Sequence, residues 1–186
     1  MGCAVILHAA IGGGKTRTAE SAAERAKTEG VKVMGILSRR VLGDGVDPSY
    51  NLVELDTNET MPLVKPARTG LTKGWVSLGN PRFIFSLEGL YSANLALKRA
   101  AVEMRRGVVV FVDEWGRLES QGKGIYSGAV MVAQALSRGG VAIYLCRDDK
   151  VGEVKDLFKG RGVKIYQLEA GDLGALLAII RDCSKL

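Results

Sequence analysis

The sequence predicts an α/β fold in which a mostly parallel sheet is covered by helices on both faces. Strand-like and helix-like segments alternate regularly along the chain, which favours parallel strands joined by crossover helices. Residues 108–112 form a short, mostly β-branched apolar run, as found in strands buried on both faces. The chain has 186 residues, of which 47% are hydrophobic, so we expect one domain with a sizeable core spanning residues 1–186.

The first predicted strand, at residues 3–8, leads into a glycine-rich loop with the sequence AAIGGGKT at residues 9–16. This is the P-loop arrangement, in which backbone amides and the positive end of the next helix face a phosphate. Three successive glycines permit the positive φ angles that the curled backbone needs. A contiguous set of residues is therefore predicted to bind nucleotide phosphates, namely Ala9, Ala10, Ile11, Gly12, Gly13, Gly14, Lys15, Thr16 and Arg17.

Two side chains of the loop carry the chemistry expected of a P-loop. Lys15 brings positive charge to the β- and γ-phosphates, which makes it a catalytic candidate, and the Thr16 hydroxyl is placed to ligate Mg²⁺. Ala9 stands where the motif usually begins with glycine. Alanine has fewer accessible backbone conformations than glycine at this position. Arg17 is expected either to face solvent on the new helix or to lie beside the phosphates.

The first helix, at residues 15–27, is alanine-rich and ends near Gly30, and a second strand follows at residues 32–38. Residues 42–80 differ in composition, because they hold three of the four prolines and many Gly, Asp and Asn residues. This composition predicts a β-hairpin and loop insertion beside the sheet. The next predicted elements are a strand at residues 82–86 and a helix, capped by Ser86, that runs to about residue 106.

The apolar strand at residues 108–112 ends in two carboxylates, Asp113 and Glu114. Acids at the carboxyl end of a parallel strand lie where open α/β sheets bind ligands. Asp113 is predicted to complete the Mg²⁺ site in the Walker B role, and Glu114 is the candidate base that orients and deprotonates the attacking water. An ordinary acidic turn is the alternative, which the preceding P-loop disfavours. The chain lacks an Asn-Lys-x-Asp guanine-reading motif.

The remaining predicted elements are a helix at residues 125–138, a strand at 141–146, a helix from Asp149 to 159, a strand at 163–167 and a final helix from Asp172. In P-loop folds with a catalytic glutamate, the strand after the acidic one lies between it and the first strand. Its exit then lies over the γ-phosphate, so Arg147 is a candidate phosphate sensor, and a solvated loop arginine is an equal alternative. Arg39, Arg40 and Arg117 are further candidates that the sequence does not rank.

Composition and charge limit the other function classes. The net charge is +6, but the basic residues are dispersed and no aromatic-interleaved basic track occurs, so nucleic acid is a partner that is not favoured. No apolar stretch approaches the about 20 residues of a membrane span. Cys3, Cys146 and Cys183 are widely spaced, which favours a cytoplasmic protein without a disulfide framework or zinc site. His8 is expected to be a packed or hydrogen-bonded residue at a strand end.

With both motifs placed, the chain resembles the thermophile-type nucleoside-triphosphatases, which are small P-loop proteins with a RecA-like core. The resemblance rests on GGGKT at residues 12–16, GILSRRVLGDGVDPSYNLVELD at residues 35–56 and VDEWGRLE at residues 112–119. Trp115 takes the place of an isoleucine in the family pattern. The family usually has acidic residues and an arginine after the second strand, where this chain has a pair of arginines, so Arg40 is the candidate substitute.

The resemblance implies broad, slow hydrolysis of nucleoside triphosphates with Mg²⁺. Lys15 and Thr16 would then bind phosphates and metal, Asp113 would complete the metal site and Glu114 would activate water. We expect a phosphohydrolase acting on ATP, GTP and other nucleoside triphosphates with low base selectivity, because no segment predicts a base-specific pocket. Trp115, Trp75 and Tyr50 are candidates for stacking on the base, but for Trp75 and Tyr50 the favoured role is packing the hairpin region onto the core.

Two other functions remain open on the same core. The first is a transferase that passes a phosphoryl or adenosyl group to a small acceptor, with residues 42–80 as a lid. The second is a nucleotide-driven switch or RNA-associated module. A hydrolase releases phosphate without an acceptor, and this separates it from a transferase. The oligomeric state is not predicted.

Overall fold

The computed structural model describes residues 1–41 and 47–184. Its strands are β1 (Cys3–His8), β2 (Lys32–Val41), β3 (Ser49–Glu54), β4 (Thr60–Pro66), β5 (Trp75–Val76), β6 (Phe83–Ser86), β7 (Val108–Trp115), β8 (Val141–Cys146) and β9 (Lys164–Glu169). Its α-helices are α1 (Lys15–Thr28), α2 (Leu87–Glu103), α3 (Tyr126–Ala135), α4 (Val151–Asp156) and α5 (Leu173–Ser184). The predicted alternation of strands and helices is confirmed.

The parallel half of the sheet positions the site. Within the described ranges, the strands form one sheet in the order β5-β6-β4-β3-β2-β7-β8-β1-β9. The strands from β2 to β9 in that order pair in parallel. As predicted, β8 lies between β7 and β1. The carboxyl ends of these strands therefore meet at one edge, which is where open α/β sheets bind ligands.

The other half of the sheet is antiparallel and comes from the segment predicted as a hairpin insertion. β3 pairs with β2, β4 with β3, β6 with β4 and β5 with β6, all antiparallel. The insertion therefore extends the main sheet through hydrogen bonds. Its first residues, 42–46, lie outside the described part of the chain.

Helices cover both faces of the sheet, as predicted, and each face has its own core. On one face, small residues of α2 and α3, such as Ala93, Ala100 and Ala129, are buried against the sheet. On the other face, alanines of α1 such as Ala22 pack with Leu177 and other apolar residues of α5. Alanine has a high helix propensity and lets the helix backbone lie close to the strands. The central strands are buried on both sides, which explains their continuous apolar sequence.

Some predicted element ends differ from the structure. β2 continues to Val41 because its end pairs with β3. The predicted helix at residues 149–159 is a 3₁₀ turn at Asp148–Lys150 followed by α4, and Asp149 does not cap that helix. The cap at Ser86 is confirmed, because the Gly89 amide donates to the Ser86 hydroxyl over 3.0 Å.

The expectation of no disulfide framework is wrong, because Cys3 and Cys183 form a disulfide that ties α5 to β1. These two residues are 180 positions apart, and the sheet brings them together. Cys146 is a free, buried thiol. Among the described helices, we find none whose length and apolar character would allow it to cross a membrane.

Candidate functional site

The loop after β1 has the backbone shape that a phosphate-binding loop requires. Gly12 and Gly14 have φ angles of 75° and 80°, which residues with a side chain rarely adopt. Gly13 is required for a different reason, since a Cβ atom there would lie 2.7 Å from the Ala9 Cβ atom. The Gly13 amide donates to the Ala10 carbonyl over 3.1 Å and closes the turn. α1 begins directly afterwards, so its amino-terminal dipole end faces the loop.

Lys15 lies across the start of this loop. Its Nζ atom donates to the carbonyl oxygens of Ala9 and Ala10, each over 2.9 Å. The positive charge is therefore held where the loop backbone curls, beside the amides of the glycines. Arg17, two residues further on, is exposed on α1.

Asp113 connects the loop to the sheet. Its Oδ2 atom accepts from the Thr16 hydroxyl over 2.9 Å and from the Ser38 amide over 3.0 Å, and its Oδ1 atom accepts from the Glu114 amide over 2.9 Å. The carboxyl group is almost fully buried, and burial, with the nearby Glu114 charge, raises the pKa of Asp113 to about 7 against the opposing effect of these hydrogen bonds. One carboxyl group thus joins α1, β2 and the end of β7.

The oxygen atoms around Asp113 suit Mg²⁺, which prefers one or two carboxylates supplemented by water and substrate phosphates. In residues 1–41 and 47–184, no group of three or more His, Cys, Asp or Glu side chains could hold a metal alone. Ser38, whose amide donates to this carboxylate, has a buried hydroxyl that makes no hydrogen bond within the described part of the chain. A buried polar atom without a partner costs free energy, so this oxygen is suited to a bound ligand or water. Thr16 and Asp113 therefore fit as protein ligands of a site completed by phosphate oxygens.

Glu114 has an unusual backbone. Its φ angle is 80°, one of two positive values at non-glycine residues in the described ranges, and the pairing of β7 with β8 shifts register between Val112 and Trp115. Solvent reaches part of the residue, yet burial and the Glu119 charge raise the pKa of its carboxyl group, an effect that the Ser38 side chain and the Lys15 charge oppose. Strained backbone of this kind is found at functional sites, where it aims a side chain. The backbone therefore departs from a regular strand at Glu114.

The candidate arginines occupy different surroundings. Arg147 lies at the exit of β8 and pairs with Asp149 over 3.2 Å, while the Nε atom of Arg39 pairs with Glu20 of α1 over 2.7 Å. Arg40 and Arg117 are exposed, and Arg117 borders a cavity that also includes Glu114.

His8 is a hydrogen-bonded residue at the end of β1, as expected. Its Nδ1 atom lies 2.7 Å from an Asp148 carboxylate oxygen, and its Nε2 atom lies 3.0 Å from the Gln167 amide nitrogen. These contacts join the ends of β1 and β9 to the loop after β8. The histidine therefore fixes the end of β1, directly before the P-loop, to its neighbours.

Glu119 is a buried acid that sequence reasoning missed. Its two carboxylate oxygens accept from the amides of Gly116 and Ile125, each over 3.0 Å, and shape the turn after β7. Burial raises the pKa of this carboxyl group.

Trp115, a candidate for base stacking, is also buried, where it packs against Tyr126 and Tyr144. It is therefore not available to a nucleotide base.

A strand, a glycine loop that opens a helix, and an acid pair on a nearby parallel strand together define the P-loop nucleoside-triphosphatase class. The chain belongs to the NTPase family, whose model matches residues 4–181. It is thus a nucleoside-triphosphatase, and the resemblance drawn from the sequence is confirmed. No curated protein matches the chain by sequence.

Two solved structures are similar over nearly the whole chain. The solution structure of a human cancer-related nucleoside triphosphatase has a TM-score of 0.65 at 22% identity, and the match covers 99% of this chain and 97% of that one. The crystal structure of THEP1 from the hyperthermophile Aquifex aeolicus has a TM-score of 0.64 at 16% identity, and the match covers 96% of this chain and 98% of that one. At these identities the likeness establishes the fold.

Proposed function

We propose that this NTPase is a Mg²⁺-dependent phosphohydrolase that converts ATP, GTP and other nucleoside triphosphates to diphosphate and phosphate with low base selectivity. The observation that carries the proposal is the hydrogen bond from Thr16 to Asp113. It brings the hydroxyl of the phosphate-binding loop against the acid of β7, with Glu114 as the next residue. Phosphate binding, metal binding and water activation are thereby combined at one edge of the sheet.

In this proposal the loop amides and Lys15 bind the β- and γ-phosphates, and Thr16 and Asp113 hold Mg²⁺. The metal, when bound, neutralises part of the phosphate charge that develops during transfer. Burial favours the protonated form of Asp113, so metal binding there requires the loss of a proton. Ser38, whose amide donates to this carboxylate, also carries a buried hydroxyl.

Glu114 is proposed as the base. Its carboxylate accepts a proton from water as the water oxygen bonds to the γ-phosphorus, and the bond from that phosphorus to the β–γ bridging oxygen breaks. The raised pKa of Glu114 brings its basicity closer to neutral pH. The arginine that meets the γ-phosphate stays a prediction among Arg147, Arg40 and Arg117.

Low base selectivity is supported by the surroundings of the aromatic side chains. Trp115 is buried, Tyr50 packs edge-on against Phe83, and the Lys65 ammonium lies 4.3 Å from the centre of the Trp75 ring. Each of these rings is thus engaged with other side chains of the protein. A cytoplasmic location stays a prediction. The expectation of no disulfide framework no longer supports it, because Cys3 and Cys183 form a disulfide.

The proposal is tested by phosphate release from ATP with Mg²⁺ and with a chelator, for the wild type, Lys15→Ala and Asp113→Asn. We expect release to need Mg²⁺ and to be lost in both variants. Lys73→Ala is the matched control, because this exposed lysine lies between β4 and β5, in the antiparallel half of the sheet, whereas the loop follows β1. Release that is unaffected by chelation would contradict the metal assignment, and release that survives Lys15→Ala would contradict the phosphate site.

A further inference from the structure

A cavity of about 140 Å³ lies next to Glu114, between the antiparallel half of the sheet and the turn after β7. Its wall is mainly apolar, with contributions from β4, β6, α2 and the loop before Asn80; the principal apolar side chains are Leu63, Leu78, Phe85, Leu90, Leu118 and Ile125. A cavity of about 150 Å³ with such a lining accommodates benzene, so a single six-membered ring fits here.

The polar groups of this wall are arranged unevenly. Glu119 is committed to the amides of Gly116 and Ile125, so both of its oxygens are already used. Asn80 accepts from the Arg82 amide over 2.9 Å and is fixed in its loop. Glu114, in contrast, is exposed to solvent. An occupant of the cavity therefore lies beside two exposed charged residues, Glu114 and Arg117.

Glu114 is shared by the cavity and the phosphate site. It lines the cavity, and its neighbour Asp113 accepts the Thr16 hydroxyl of the phosphate-binding loop. Glu114 has a positive φ angle at this position. Apolar walls with a small number of polar groups are typical of small-molecule sites. Hydrolysis requires only a water molecule beside Glu114. A water molecule does not need an apolar cavity, so the lining of this cavity is not explained by hydrolysis.

We propose that the Glu114 cavity, defined by the lining residues given above, binds the apolar ring of a small primary alcohol as a phosphoryl acceptor. The proposal rests on the proposed function, since it uses the same triphosphate site. The alcohol oxygen bonds to the γ-phosphorus, the bond from that phosphorus to the β–γ bridging oxygen breaks, and the alcohol proton passes to Glu114. The products are a phosphate monoester and a nucleoside diphosphate, and Glu114 then releases its proton to solvent.

The test uses the full chain with ATP and Mg²⁺, with benzyl alcohol as the ring-bearing acceptor and glycerol as a polar control. Phosphorus NMR follows benzyl phosphate and inorganic phosphate in the same sample. Leu78→Trp fills the cavity from its loop, and Leu78→Phe is a smaller change in case the first variant folds poorly. Leu71→Trp is the matched control, because Leu71 is exposed and does not line the cavity.

We expect benzyl phosphate from the wild type and Leu71→Trp, none from glycerol, and a ratio of transfer to hydrolysis that falls about tenfold or more in Leu78→Trp. Phosphate release without benzyl phosphate would overturn the proposal and leave the hydrolase intact. An unchanged ratio in both Leu78 variants would overturn the cavity as the acceptor site. A folded wild type that forms neither product would overturn both this proposal and the proposed function.

Discussion

Replacement of Glu119 by glutamine tests whether this buried acid holds the turn that follows Glu114. The two Glu119 oxygens accept from buried amides at 3.0 Å, at Gly116 and at Ile125. Glutamine has nearly the same volume but offers one acceptor oxygen and an NH₂ donor, so one amide loses its partner. A buried donor without a partner costs about 1–3 kcal/mol, and removal of a buried charge offsets part of this. We expect Glu119→Gln to lower the free energy of unfolding by about 1–2 kcal/mol at pH 7.

The pH dependence follows from the raised pKa of Glu119. Because the folded protein holds this proton more tightly than the unfolded chain, the contribution of Glu119 to stability is greatest at acid pH. That contribution falls as pH rises from about 4.3 through the raised pKa. Glutamine does not titrate, so the stability difference between wild type and Glu119→Gln shrinks as pH rises from 5 to 7.

Urea unfolding followed by tryptophan fluorescence measures the free energy of unfolding in both proteins. Glu59→Gln is the matched control, because Glu59 is exposed, and its change is expected to stay within about 0.5 kcal/mol. A Glu119→Gln effect no larger than that of the control would refute the role of Glu119 in holding the turn. A difference that grows as pH rises would refute the sign of its pKa shift.

Three further predictions concern backbone and covalent features. Gly35→Ala places a Cβ atom 2.1 Å from the Phe111 carbonyl oxygen at a positive φ angle, so the free energy of unfolding should fall by more than about 2 kcal/mol. Gly152→Ala is the control, because a Cβ atom there lies in open space on α4, and its effect should be neutral or stabilising. Cys183→Ser should lower stability by about 2–4 kcal/mol without reductant and far less with it, and equal losses would contradict the disulfide. Glu114→Gly should be more stable than Glu114→Ala by about 1 kcal/mol, because glycine accepts the positive φ angle; the reverse order would contradict the strain.

The parts of the fold with local sequence signals were predictable. The parallel strands are short apolar runs, the loop glycines precede Gly-Lys-Thr, and Ser86 stands at a helix start, so each could be recognised from neighbouring residues. The far end of β2 was not, because its extension to Val41 depends on pairing with β3. The disulfide was also missed, since Cys3 and Cys183 meet only when β1 and α5 are packed together.

The same distinction applies to the site. Thr16 and Asp113 were assigned from their motifs, and the structure brings them into contact. The Ser38 amide and the buried Glu119 were missed, because a serine at a strand end and an acid in a turn carry no distinctive pattern. Trp115 was misjudged as a stacking candidate, because its burial depends on α3 and β8 packing over it.

The most direct test of the central claim is phosphate release from ATP, GTP, CTP and UTP with Mg²⁺, compared between wild type and Glu114→Gln, with nucleotide binding measured on the same samples. Glutamine keeps the shape of the side chain but removes the base. We predict release from all four nucleotides by the wild type, unchanged binding in the variant, and turnover that is lower by about a hundredfold or more. Normal turnover by Glu114→Gln would contradict the assignment of Glu114 as the base.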